Sequence, residues 1–181
     1  MVLIQQGWRE MAKIKSTLDL VMERTKNLSM TEEEKERLRR KEWTEQIRGW
    51  VQKLIDDKFT IAELSTSFKS EADAYPGLKD ILKDELVGHI DPEKENDLIF
   101  HALEEVLGLD TIPFRESIRE YHNRLDLLRH EHLERLRLEL RNKGIFGNAV
   151  IPNLEPNEKW IALLKKLREE FRYRLNAPKG I

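Results

Sequence analysis

The last third of the chain carries the feature that most restricts its fold. Trp160, Leu164, Leu167, Phe171 and Leu175 recur at spacings of 4, 3, 4 and 4. Phe114, Ile118, Tyr121, Leu125, Leu128, Leu136 and Leu140 do much the same over the segment before them. Apolar side chains three or four residues apart share one face of a helix, whereas a strand needs them at every second position. No segment alternates convincingly and no internal repeat is visible. The expected fold class is therefore all-α: a single-domain irregular helical bundle of six or seven helices, two or three of them long, with no sheet.

Helix boundaries follow from capping chemistry. Met11 resembles a natural start, so residues 1–10 are expected to be a dispensable, flexible leader before a single helical domain at 11–181. Leu18, Val21, Met22 and Leu28 mark a short amphipathic helix from Ser16. Thr31-Glu-Glu-Glu34 is a capping box, in which hydroxyl and carboxylate each satisfy an orphan backbone amide of the first turn. It opens a helix from about Glu32 to Asp57, with Trp43, Ile47, Trp50, Val51, Leu54 and Ile55 at helical spacing. Thr60-Ile-Ala-Glu63 repeats the box and leads through Leu64 and Phe68 to a break at Tyr75-Pro-Gly77. Leu78, Ile81, Leu82 and Leu86 form the next helix, with Gly88 expected as its left-handed end residue. Asp91-Pro92 reads as an N-cap followed by proline at the first helical position. Leu98, Ile99, Ala102, Leu103 and Val106 then give an apolar face that Gly108 closes. Pro113 opens the longest helix, to about Lys143. A strict heptad would put apolar residues where His132 and Arg135 stand, so the repeat slips and a long regular coiled coil is not expected.

Between the two strongest helices lies "GIFGNAVIPN", residues 144–153, within an apolar connector spanning 144–156. Gly144-Ile-Phe-Gly147 has the G-x-x-G spacing that clamps nucleic-acid backbone in KH domains. The intervening Ile145 and Phe146 are apolar, Pro152 interrupts any following helix, and the strands of a KH sheet have no candidates. The better expectation is a connector whose Ile145, Phe146, Val150 and Ile151 are buried, joining antiparallel helices. An exposed docking patch stays open as the alternative.

Catalytic and metal chemistry find little footing. His122, Asp126 and His130 share a helix face at i, i+4 and i+8, which could begin a metal site. No HExxH and no Glu-x-x-His accompanies them, so the face reads as a solvated flank. The chain has no cysteine, no Gly-x-Ser-x-Gly elbow, no Walker loop and no G-x-G-x-x-G. No catalytic residue, cofactor or metal is therefore assigned.

Charge carries more information. Charged residues make up 36% of the chain, against roughly 25% in an average domain, yet the net charge is only -2. With 39% apolar residues the chain is too hydrophobic for disorder. Residues 71–110 hold 12 acidic and 3 basic side chains, and residues 157–181 hold 7 basic and 3 acidic. These regions are expected to face each other, although the basic segment could instead meet an acidic partner. A pI of about 6.3 argues against dedicated DNA binding. With no run long enough to span a membrane and no signal peptide at the start, the chain reads as a soluble cytoplasmic protein.

The functional expectation is a non-enzymatic adaptor, regulator or assembly protein acting through helix faces, with a protein partner and with self-association left open. Its candidate interaction residues are Trp43, Trp50, Ile145, Phe146, Lys165, Arg168, Arg172 and Arg174. A nucleic-acid-associated protein using the basic C-terminal helix is the alternative, and an enzyme or metal protein is the third.

Overall fold

The computed structural model describes residues 30–145, 147 and 150–177. The chain divides into two compact units, Met1–Gln46 and Ile47–Ile181. The described residues form six helices and no strand: α1 (Glu32–Ile55), α2 (Ile61–Ala72), α3 (Leu78–Gly88), α4 (Asp97–Leu107), α5 (Ile112–Asn142) and α6 (Glu158–Asn176). The expected leader and the helix expected from Ser16 lie outside the described residues, as does Phe146.

In the first unit the described residues are the start of α1 and the two before it. The capping box forms: the Thr31 hydroxyl accepts from the Glu34 amide at 3.2 Å, and the Thr31 amide donates to the Glu34 carboxylate at 2.8 Å. Glu32 pairs with Lys35 at 2.7 Å. Acidic side chains in this first turn suit the positive end of the helix dipole.

The second unit takes up the end of α1, whose Ile47, Val51 and Leu54 are buried. That helix stops earlier than expected. Asp57 adopts a left-handed φ of 56°, and the Lys58 amide turns back to the Lys53 carbonyl at 2.9 Å. An aspartate thus fills the place that glycine usually takes in this helix ending. The Thr60–Glu63 box also forms, and it starts α2.

Helices α2, α3 and α4 pack on one another. Their core is Leu64 and Phe68 of α2, Leu78, Ile81, Leu82 and Leu86 of α3, and Phe100, Ala102, Leu103 and Val106 of α4. Burying one such side chain stabilises the fold by about 1.5–3 kcal/mol.

Two expected boundaries move. Gly88 is the last residue of α3 rather than its left-handed terminator, and His89 follows with φ -88°. Asp91-Pro92 does not start α4. The Asn96 side chain accepts from the Asp91 amide at 2.9 Å and donates to the Asp91 and Lys94 carbonyls at 2.8 and 2.7 Å. Asn96 therefore holds 91–96 as a closed loop, and the helix waits until Asp97. At its other end Gly108 does take the left-handed conformation, with φ 64°.

Candidate interaction surface

The α5–α6 hairpin is built by residues that pair in reverse order. Glu120 meets Arg174, Arg124 meets Glu170 at 2.6 Å, the Tyr121 ring lies edge-on to Phe171 at 5.5 Å, and His132 stacks on Trp160 at 5.8 Å. Rising numbers on α5 meet falling numbers on α6, so the helices are antiparallel, as the connector implied. Phe114, Tyr121 and His132 of α5 are buried, with Trp160, Leu167, Phe171 and Leu175 of α6. His132 occupies the position where the heptad slips: it belongs to the buried stripe.

Asn157 organises the loop end. Its Oδ1 accepts from the Trp160 amide at 3.0 Å and so caps α6. The same oxygen lies 3.1 Å from His132 Nε2. An oxygen that already accepts from a backbone amide requires a donor there, which puts the proton on Nε2. Nδ1 is then left without a partner, and it is the only such buried side-chain atom among the described residues.

At the middle of the hairpin, three side chains fasten it to the end of α3 and the 89–96 loop that follows. The Tyr121 hydroxyl donates to Glu93 at 2.7 Å, and Arg168 grips both carboxylate oxygens of Glu93 at 2.8 and 2.9 Å. Arg172 donates to the Gly88 carbonyl at 2.9 Å. The Tyr121 hydrogen bond, followed by that of Arg168, holds the Glu93 carboxyl below its ordinary value. Burial, followed by the hydrogen bond to Glu93, pushes the Tyr121 phenol up. The acidic and basic regions of the sequence do meet, at this one loop.

These contacts redistribute the expected interaction residues. Arg168, Arg172 and Arg174 each hold a partner within the chain. Lys165 is exposed, while Trp43 and Trp50 are each half-buried. His122, Asp126 and His130 are all exposed, and among the described residues no group of three His, Cys, Asp or Glu is placed to hold a metal ion. Among the described residues no helix is long and apolar enough to cross a membrane.

The connector departs from its expected burial. Gly144, at φ 79°, ends α5, and the Ile145 amide returns to the Leu140 carbonyl at 3.0 Å. Ile145 is nevertheless 49% exposed and Ile151 80%. Among the described residues of this segment, Val150 is half-buried and Pro152 is the one that goes under. The physical reason is that the cap chemistry fixes the backbone turn, while among the described residues nothing fully covers the side chains that follow it. Beside the connector, Glu134, Arg137, Leu138, Arg141, Ile145, Gly147 and Val150 line an open cleft of about 460 Å³. Leu127 and Leu138 on α5 are each 58% exposed. Both escaped the sequence reading, although neither fits the buried stripe, and that mismatch was the available signal.

No protein-family profile, curated protein or solved structure matches the chain.

Proposed function

We propose that this chain is a non-enzymatic protein-interaction module of the cytoplasm, an adaptor, regulator or assembly factor, docking through the loop end of the α5–α6 hairpin. The observation that carries this reading is the exposure of Leu138 and Ile145, which line one cleft, on a hairpin whose own core is already filled by Tyr121, Trp160, Leu167 and Phe171. Apolar area left in water is recovered when a partner covers it, at about 25 cal/mol per Å². Arg137 and Arg141 at the rim match the arginine enrichment of protein interfaces. The nucleic-acid alternative loses support, because three of the arginines it needs are engaged inside the chain.

Affinity capture from cytosol with the full chain tests this, run with and without nuclease on the parent, Leu138→Glu and the double variant Lys165→Glu/Lys166→Glu. Protein partners should survive nuclease and the lysine reversals and be lost with Leu138→Glu. Loss of every partner on nuclease treatment, or full retention by Leu138→Glu, would contradict the proposal.

A further inference from the structure

A second stripe runs along α5 on the side away from Phe114, Tyr121 and His132. Leu127, Glu131, Glu134, Leu138 and Arg141 recur at spacings of 4, 3, 4 and 3 on the helix, and Ile145 follows just past its end, where the Gly144 turn brings it to the same cleft as Leu138. That spacing is the heptad rhythm that paired helices use. All six are exposed, and the last four that the cleft includes, Glu134, Leu138, Arg141 and Ile145, line it together. Glu134 is paired with Arg137 at 2.5 Å, whereas Glu131 and Arg141 form no ion pair among the described residues.

Read backwards, the stripe is complementary to itself. Laid antiparallel on a copy about a two-fold axis near Leu136, Leu127 meets Ile145, Glu131 meets Arg141, and Glu134 meets Leu138, each twice. A parallel pairing in register would instead place Glu131 on Glu131 and Arg141 on Arg141. Arg137 approaches its own copy near the axis, where each is already neutralised by its Glu134. We propose that the partner seated on this face is a second copy of the chain, forming an isologous antiparallel helix pair. The proposal rests on the interaction reading above and narrows it to one partner. Six residues a side fall short of the roughly 20–30 of a standard interface, so the dimer is weak and concentration-dependent.

Sedimentation velocity of the full chain over a concentration series reads this out. The parent should move from a monomer of 21.5 kDa toward twice that mass as concentration rises. Glu131→Arg and Arg141→Glu should each raise the dimer dissociation constant about tenfold, since each turns two attractive contacts into two repulsive ones. Combined in one chain they should restore it to within about threefold of the parent, because the pair is coupled. Circular dichroism should show parental helicity in all three variants. A parent that stays monomeric overturns the inference, while protein partners lost with Leu138→Glu in the capture experiment would still uphold the interaction reading. A dimer indifferent to both reversals, or a double variant no tighter than the singles, also overturns it.

Discussion

At the scale of single residues, the fastening of the 89–96 loop falls to Glu93. One carboxylate collects the Tyr121 hydroxyl and the Arg168 guanidinium, 28 and 75 residues further along the chain. No spacing rule connects residues 93, 121 and 168, so the sequence offered only the charge imbalance of the two regions as a pointer. The contact is partly solvated, with Glu93 40% and Arg168 56% exposed at the side chain, and its worth is discounted accordingly. A double-mutant cycle of Tyr121→Phe and Glu93→Gln should give a coupling of about 1 kcal/mol or less. The pH dependence has a definite sign. A carboxyl held below its ordinary value of 4.5 contributes stability that is complete above that value. The contribution is lost as pH falls through the lowered folded value. The parent's denaturant midpoint should therefore drop more steeply than that of Glu93→Gln below about pH 4.5. Parallel profiles would show that Glu93 contributes nothing.

At the scale of helices, the local signals divide cleanly by their range. Both threonine capping boxes and the Gly108 ending were legible, because each is complete within six residues and obeys backbone hydrogen-bond accounting. The start of α4 was not. Asp91-Pro92 satisfies the usual N-terminal pattern, yet Asn96 competes for the same backbone groups and wins with three hydrogen bonds. Asn157 shows the same point: its cap of the Trp160 amide is a local device, but its bond to His132, 25 residues away, has no local signal. Asn157→Ala should remove the cap, at about 1 kcal/mol, and leave a buried His132 N–H unsatisfied, at about 1–3 kcal/mol. The expected total loss, from urea unfolding, is about 2–4 kcal/mol. Asn157→Asp keeps an acceptor oxygen in place and should lose much less. Equal losses in the two variants would mean that Asn157 does not act through its oxygen.

At the scale of the molecule, the helical class followed from periodicity alone, and so did the antiparallel hairpin from its short apolar connector. What periodicity could not say is which apolar residues are surplus. An apolar run between two helices predicts burial only if something lies over it, and at Ile145 and Ile151 nothing in the described hairpin does. The second stripe of α5 was equally hard to read, because half of its heptad positions are charged and the eye follows the leucines. These side chains serve either the fold or a partner. Denaturant unfolding of the Leu138→Glu/Ile145→Glu double variant at low protein concentration is the most direct measurement. If the residues are available for docking, stability should stay within about 1 kcal/mol of the parent, as for surface substitutions away from packed features. A loss of roughly 3 kcal/mol or more, the scale of a disrupted core, would show that they hold the chain together and would contradict the proposed interaction surface.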